Sequence, residues 1–240
     1  MQWNIQGPKR KHHLLQEAAK GDLVDVFLLQ ETLVTENRPL KLKGYICYNT
    51  PVVAGGAQGC SILVNSRIPS TLVPDPAFCG EGVEFMAVTL TLQNISLHVY
   101  NIYKSRDCRL NLEEVFEQAS ITPTFIGGDF NCHHPILHSP QTPNRDGRHL
   151  ATAILQAPGV QLLNSEEPTH KHGGVLDLSF ISTTLHPITS WKLHHHLRRK
   201  SRQASSSTST ANQMEYGKSK LGQIREAPAD QPLPSGTTTT

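Results

Sequence analysis

Residues 125–135 read FIGGDFNCHHP, and this stretch joins a strand pattern to polar groups that suit catalysis. The β-branched and aromatic residues from Thr124 to Ile126 predict a buried strand, which the two glycines at 127 and 128 are predicted to close. Asp129 and Asn131 follow immediately. Taken alone, Gly127-Gly128-Asp129 is equally typical of a turn.

Two other apolar segments end in polar residues in the same way. Trp3-Asn4 lies in the short apolar start of the chain, and Gln30-Glu31 follows the apolar run DVFLL at 25–29. In open α/β sheets, ligands gather beyond the carboxyl ends of strands, so these three strand ends are expected to share one cleft. Any one of them alone is better explained as a surface polar residue. Their oxygen atoms are the type of ligand that Mg²⁺ prefers.

The remaining pattern mixes strands and helices along residues 1–193, which are expected to form one domain. Helices are predicted around Leu14–Ala19 with a stop at Gly21, over 111–118 and over 149–156. Strands are predicted over 25–29, 45–48, 60–64, 85–92, 95–103, 160–163 and 175–181. This mixture predicts mixed sheets flanked by helices.

The last part of the chain has a different composition. From Arg198 onward there are seven Lys or Arg residues and three acidic residues, so this segment carries +4 while residues 1–197 carry −2. It also contains SSSTST at 205–210 and no apolar periodicity. Residues 194–240 are therefore predicted to form a disordered basic tail. A solvated surface explains its charge better than a nucleic-acid-binding arm.

Composition also bears on location. No apolar run approaches the ~18 residues of a membrane span, and no stretch at the start has the pattern of a secretory signal. The five cysteines are scattered and form no CxxC pair, which favours reduced thiols. We therefore expect a nuclear or cytoplasmic protein that is not secreted and has no membrane partner.

The series QWNIQG (2–7), VFLLQET (26–32), VYNIY (99–103), FIGGDFNCHHP (125–135) and VLDLSFI (175–181) resembles the endonuclease/exonuclease/phosphatase family. More narrowly, GDFNCHHPILHS resembles the endonuclease domain of non-LTR retrotransposons. The resemblance implies a four-layer α/β sandwich, with two packed mixed sheets between helices. It also implies Mg²⁺, with Mn²⁺ as an alternative, and cleavage of a DNA phosphodiester.

The resemblance assigns roles to particular residues. Asn4 would hold a network at the metal and phosphate site, Glu31 would be the principal metal ligand, and Asp129 would orient or deprotonate the attacking water. These roles fit phosphodiester hydrolysis, in which a metal stabilises developing charge and a base activates water.

Four further residues receive roles from the same resemblance. Tyr103 would contact the scissile phosphate, and Asn131 would position it. Asp177 would support a catalytic histidine, and Thr169 would lie near the DNA. The expected partners are DNA and a reverse transcriptase supplied in trans, and the chain is expected to be a monomer.

One family motif is absent. The family ends its domain with Ser-Asp-His on a last strand, and this tripeptide occurs nowhere in the chain. After Leu193 the sequence becomes HHHLRRK, which indicates a truncated, frameshifted or misjoined reading frame that lacks the last strand. One residue of His194–His196 could substitute for the missing histidine, although such a run is more often without catalytic function. We therefore expect impaired activity.

Other chemistries remain open. The chain could be a catalytically dead nucleic-acid-binding remnant, or a phosphatase acting on a small phosphoester through the same metal site. The thirteen histidines invite a zinc site, but no HExxH or cysteine pair supports one. Cys132 lacks the base that a thiol nucleophile needs.

Overall fold

The computed structural model describes residues 1–9, 11–21, 24–52, 58–170, 173–194 and 219–220. The helices are α1 (His12–Gly21), α2 (Glu113–Ile121) and α3 (Arg145–Gln156), with short 3₁₀ helices at Pro135–Leu137 and Thr183–Ile188. The strands are β1 (Gln2–Asn4), β2 (Val26–Gln30), β3 (Tyr45–Asn49), β4 (Cys60–Asn65), β5 (Ser70–Leu72), β6 (Gly80–Glu81), β7 (Glu84–Thr91), β8 (Ser96–Tyr103), β9 (Arg109–Leu110), β10 (Thr124–Asp129), β11 (Val160–Leu162), β12 (Asp177–Ser182), β13 (Lys192–Leu193) and β14 (Ser219–Lys220).

The longer strands form two mixed sheets. The first has the order β1-β2-β4-β3, in which β1 and β2 are parallel and the other pairs antiparallel. The second has the order β11-β12-β10-β8-β7-β5, in which only β8 and β10 are parallel. Because β1, β2, β8 and β10 all carry a predicted polar residue at or just after their carboxyl ends, these ends set the position of the site.

The two sheets pack face to face. Alternate residues of β2 point to opposite faces, so Val26 and Leu28 enter the core between the sheets while Phe27 and Leu29 face α1. The outer face of the second sheet is covered by α2 and α3 through Val115, Phe116 and Leu150. The layers are therefore helix, sheet, sheet and helices, as a four-layer α/β sandwich requires.

Most of the predicted elements are present with shifted ends. The helix predicted from residue 149 begins four residues earlier, because the side chain of Asn144 accepts the backbone N–H of Gly147 and caps α3. The strands β5, β6 and β9 were not predicted, since two or three residues are too few to show a period of two.

The prediction that Gly127-Gly128 closes its strand is wrong, because β10 continues to Asp129. A Cβ atom at Gly128 would lie 1.9 Å from the backbone oxygen of Ile102 on β8, and one at Gly127 would lie 2.9 Å from Leu28 on the first sheet. Glycine is needed here because the backbone of β8 packs closely against Gly128 and side chains pack closely against Gly127, rather than for a turn.

Three residues of the predicted tail are described, His194 and Ser219–Lys220. Ser219–Lys220 pairs antiparallel with Lys192–Leu193. The other residues from 195 onward, including His195 and His196, lie outside the described residues, so a disordered tail stays a prediction. Within the described ranges, no helix is both long and apolar enough to cross a membrane.

Candidate active site

The side-chain amide of Asn4 connects two carboxylates from different sheets. Its Nδ2 atom donates a hydrogen bond to Glu31 Oε1 at 2.8 Å and another to Asp129 Oδ2 at 2.9 Å. The parallel register of β1 and β2 places Asn4 opposite Gln30, and hence beside Glu31. The two acids therefore share one donor at the meeting point of three strand ends.

Two of the predicted site residues have left-handed backbone conformations. Glu31 has φ = 50° and Asn131 has φ = 47°, a region that residues other than glycine seldom adopt. Each follows a strand end and turns the chain there. The backbone N–H of Asn131 donates to Asp129 Oδ1 at 3.3 Å, and its Nδ2 donates to the backbone oxygen of Lys104 at 2.8 Å. Such conformations persist where the surroundings hold them, and they are common at functional sites.

Asp129 and Asp177 face each other across the antiparallel pair β10–β12. The pKa of Asp129 is raised to about 6: burial is the largest cause and the nearby charge of Glu31 adds to it, whereas hydrogen bonds from Asn4 and Asn131 and the charge of Lys104 oppose the rise. Burial, followed by the charge of Asp129, raises the pKa of Asp177 well above its ordinary value. The site thus concentrates negative charge that its own donors compensate only in part.

Asp177 is held by two buried side chains. Hydrogen bonds from Thr169 and Gln2 favour its carboxylate, and the Gln2 Nε2 to Asp177 Oδ1 distance is 3.3 Å. The Thr169 hydroxyl also accepts the backbone N–H groups of Leu176 and Asp177 at 2.9 and 3.0 Å. The Thr169 side chain is completely buried and its hydroxyl is used within the fold, so it supports Asp177 from inside, and its position near the DNA stays a prediction.

Tyr103 ends β8 opposite Asp129 on one side and Glu84 on the other. Burial, and then the charge of the neighbouring Glu31, raise the pKa of Tyr103 far above its ordinary value, so the phenol stays neutral. Glu84 accepts the backbone N–H groups of Gln58 and Gly59, both at 2.7 Å. It therefore anchors the chain just before β4 beside the site.

Sequence reasoning missed Gln2, Glu84 and Lys104. Gln2 could have been found, because alternate strand residues share a face and it lies two positions before Asn4. Lys104 gave no such signal. Its side chain is only 1% exposed and its Nζ atom lies 3.0 Å from Asp146 Oδ2, on a helix more than forty residues later. Its backbone N–H donates to the carbonyl of Asp129, which ties this ion pair to the site.

The histidines after β10 contribute to local structure. His133 Nδ1 lies 3.0 Å from Ser139 Oγ, and His134 caps the 3₁₀ helix at Pro135–Leu137 by accepting the backbone N–H of Ile136. His138 ends that helix in a left-handed conformation, and His149 lies 3.6 Å from Glu113. Three or more His, Cys, Asp or Glu residues grouped as metal ligands are not found in the described ranges.

The donor set nevertheless fits a hard cation that binds through few protein ligands. Glu31 and Asp129 supply carboxylate oxygens, and Asn4 Oδ1 is a buried oxygen without a hydrogen-bond partner in the described part of the chain. Mg²⁺ usually binds through one or two carboxylates, with waters and substrate phosphate completing its shell. The residues present therefore fit Mg²⁺ better than zinc, which prefers nitrogen and sulfur ligands.

Comparison with known proteins identifies the family and the fold of the chain. The sequence model of the Endonuclease/Exonuclease/phosphatase family matches residues 1–207. No curated protein matches the chain. Among solved structures, the chain is similar to the endonuclease domain of TRAS1, a telomere-specific non-LTR retrotransposon, with TM-score 0.65, 18% identity and coverage of 82% of this chain and 90% of that one.

Two other structures show the same fold. The AP endonuclease LMAP from Leishmania major matches with TM-score 0.62 and 13% identity over 82% of each chain. The catalytic domain of APE2 from Xenopus laevis matches with TM-score 0.54 and 16% identity, over 80% of this chain and 85% of that one.

Proposed function

This chain belongs to the endonuclease/exonuclease/phosphatase family, and on that basis we propose that it is a Mg²⁺-dependent phosphodiester hydrolase that nicks DNA. The observation that carries the proposal is the bridge from Asn4 to Glu31 and Asp129 at three converging strand ends. The similarity to a retrotransposon endonuclease domain favours DNA as the partner. The 3′ hydroxyl left at such a nick would prime a reverse transcriptase supplied in trans.

Glu31 and Asn4 Oδ1 are proposed to hold the metal. When bound, Mg²⁺ supplies positive charge that stabilises the developing charge on a phosphoryl group, and Mn²⁺ could replace it. The accumulation of Glu31, Asp129 and Asp177 around one cleft supports this assignment, because burial and then the charge of a neighbouring acid raise the pKa of both Asp129 and Asp177, and a bound cation would offset that charge.

Asp129 is proposed to accept the proton of the attacking water. A general base works best when its pKa lies near the working pH, and burial raises the pKa of Asp129 to about 6. Asn4 holds Oδ2 and the backbone N–H of Asn131 holds Oδ1, so the carboxylate is fixed in orientation.

The phosphate is proposed to lie between Tyr103 and Asn131. The neutral phenol of Tyr103 can donate to a phosphate oxygen, and donors fixed in advance stabilise a charged transition state effectively. Asn131 is held beside Asp129 by its bond to the backbone of Lys104. Asp177 is proposed to occupy the position that supports the histidine of the family's Ser-Asp-His motif, which this sequence lacks.

Because the sequence contains no Ser-Asp-His, we propose that the activity is impaired. A catalytically dead nucleic-acid-binding remnant is the second candidate, and the same absence favours it.

Plasmid nicking at high protein concentration tests the proposal. We expect supercoiled DNA to become open circles with Mg²⁺ and to stay intact with EDTA. Asn4→Ala should lower the rate by roughly 10²-fold, since it removes the shared donor, and Asp129→Asn should abolish nicking. Asn65→Ala is the matched control, because it removes an exposed Asn–Asp hydrogen bond at the other end of the strands.

Each alternative has its own outcome in this assay. Nicking that persists in EDTA or in Asp129→Asn would overturn the proposal. DNA binding with no nicking by the unmodified chain would support the dead remnant. Release of phosphate from a small phosphoester, without nicking, would support a phosphatase.

A further inference from the structure

Glu84, at the start of β7, holds two adjacent backbone groups of a distant segment. Its Oε1 atom accepts the N–H of Gln58 and its Oε2 atom accepts the N–H of Gly59, both at 2.7 Å. Successive backbone N–H groups that point to one anion form a compact site for it. Both carboxylate oxygens of Glu84 are therefore used within the fold.

The same two residues are bonded on their other side to the segment that follows Glu31. The carbonyl of Gly59 accepts the N–H of Thr32 at 3.0 Å, and the carbonyl of Gln58 accepts the N–H of Leu33 at 2.8 Å. Residues 58–59, which we call the 58–59 link, thus connect the Glu84 carboxylate to the residues directly after Glu31.

The turn at Glu31 has a conformation that needs support from its surroundings. Glu31 and Leu33 both have φ = 50°, which residues other than glycine seldom adopt and which persists only where neighbouring structure holds it. Thr32 between them is completely buried, and a Cβ atom at Gly59 would lie 2.8 Å from its Oγ1 atom. The 58–59 link therefore fits closely against this turn.

Glu84 holds this position although negative charge lies nearby. Burial is the largest cause that raises the pKa of Glu84, and the charge of Glu31 adds to the rise, whereas the hydrogen bonds from Gln58 and Gly59 oppose it. An acid that served only to begin β7 would be more favourable in full contact with solvent. What this position provides is the hold on the 58–59 link.

We infer that Glu84 is a positioning residue for Glu31, acting through the 58–59 link and the turn at Thr32-Leu33. The inference rests on the proposed function, in which Glu31 holds the metal, and deepens it by adding a residue that sets metal affinity. Glu84 itself touches neither metal nor phosphate in this account, because its oxygens accept backbone N–H groups. Loss of a group that orients a metal ligand typically weakens metal binding by about 10–100-fold.

The first experiment measures binding of Mn²⁺ to the full chain without DNA, from the EPR signal of the free ion. Glu84→Asp keeps the charge but is one methylene shorter, so it cannot reach both N–H groups. It should raise the dissociation constant by about tenfold or more, and Glu84→Gln, which keeps one acceptor oxygen, should do the same. The matched control is Glu114→Gln on α2, whose carboxylate accepts the N–H of Phe78 at 3.3 Å, and it should bind as the unmodified chain does.

A double variant tests whether Glu84 acts through the 58–59 link. Gly59→Ala distorts the link without changing any charge, since its Cβ would lie 2.8 Å from Thr32 Oγ1 and 3.0 Å from the backbone oxygen of Thr50. Gly44→Ala is the matched control, because Gly44 also has φ = 84° but has open space at the Cβ position.

Gly59→Ala should weaken Mn²⁺ binding and Gly44→Ala should not. If Glu84 acts through the link, adding Glu84→Gln to Gly59→Ala should raise the dissociation constant by no more than about twofold. Two effects that multiply would show that Glu84 acts by another route, and would overturn the inference. Should Gly59→Ala fold poorly by circular dichroism, the single variants of Glu84 still decide the question.

Plasmid nicking separates positioning from a part in the chemistry. Glu84→Asp should need about tenfold more Mg²⁺ for half of its maximal rate, while its rate at saturating Mg²⁺ should lie within about twofold of the unmodified rate. A rate that stays low at saturating Mg²⁺ would overturn the inference.

Failure of this inference and failure of the proposed function have different outcomes. Equal Mn²⁺ affinities for the unmodified chain and both Glu84 variants would overturn the inference alone. If the unmodified chain does not bind Mn²⁺, or if Glu31→Gln leaves its affinity unchanged, the proposed function fails and this inference fails with it.

Discussion

At the scale of single residues, Lys104 shows how a charge can be buried beside an acidic site. Its Nζ atom is paired with Asp146 and also donates to the backbone oxygen of Ser105 at 3.1 Å, while Asp146 accepts the backbone N–H of Leu110 at 3.2 Å. The pair therefore joins the end of β8 to the first turn of α3. The charge of Lys104 also opposes part of the rise in the pKa of Asp129.

Lys104→Met should destabilise the fold by about 3–5 kcal/mol, because it leaves Asp146 largely buried without its cation. Adding Asp146→Asn should recover part of this loss, since an amide oxygen can still accept the Leu110 N–H. Urea unfolding of the two single variants and the double variant measures the coupling. If the double variant were less stable than Lys104→Met alone, the unpaired charge of Asp146 would not be the cause of the lost stability.

At the scale of secondary-structure elements, strand β10 is central because it touches both sheets. Gly128 allows β8 to approach, and its carbonyl accepts a hydrogen bond from Gln2 at 2.6 Å. Asp129 ends the strand at the site. The position of the Asp129 carboxylate thus depends on glycines that have no chemistry of their own.

Gly128→Ala should cost at least about 3 kcal/mol of stability, since its Cβ would meet the backbone of Ile102, which cannot move aside as a flexible side chain can. Gly174→Ala is the matched control, because a Cβ there meets only ordinary contacts at 3.5 Å and beyond. Thermal unfolding of both variants gives the comparison. Equal melting temperatures would contradict the packing described here.

The facing acids of β10 and β12 predict a pH dependence. Because burial raises the pKa of Asp129 from 3.8 to about 6, folding favours its protonated form. The stability it contributes is full below about pH 4 and is lost as the pH rises through about 6. In EDTA, the unmodified protein should therefore lose about 2 kcal/mol relative to Asp129→Asn between pH 4.5 and pH 7.5, because part of the full difference of about 3 kcal/mol is already lost at pH 4.5.

Urea unfolding at the two pH values measures this difference. Asp25→Asn, which changes an exposed acid at the far end of β2, controls for the substitution itself. The claim that burial raises the pKa of Asp129 would be contradicted if the difference in the free energy of unfolding between the unmodified protein and Asp129→Asn stayed constant with pH.

At the scale of the whole molecule, the four-layer α/β sandwich could be predicted from local sequence patterns. The run 25–29 predicted a strand buried on both faces, and the polar residues at 4, 31 and 129 predicted one shared cleft, because strand ends mark ligand sites in such sheets. The structure brings Asn4, Glu31 and Asp129 together.

Other features depend on contacts between distant elements and could not be predicted. The partner of Lys104 lies on α3, and the burial of Thr169 depends on its bonds to the start of β12. Gly127-Gly128 has the composition of a turn, and only the closeness of β8 and of the first sheet shows why the strand continues. Sequence periodicity carries no information on such pairings.

The measurement that tests the account most directly is single-turnover nicking of supercoiled DNA with Mg²⁺. It compares the chain as it stands with a version in which the residues after Leu193 are replaced by a strand carrying Ser-Asp-His, each with and without Asp129→Ala. We predict that the chain nicks about 10²–10⁴-fold more slowly than the repaired version and that Asp129→Ala abolishes both activities. Equal rates for the two versions, or nicking that survives Asp129→Ala, would contradict the account.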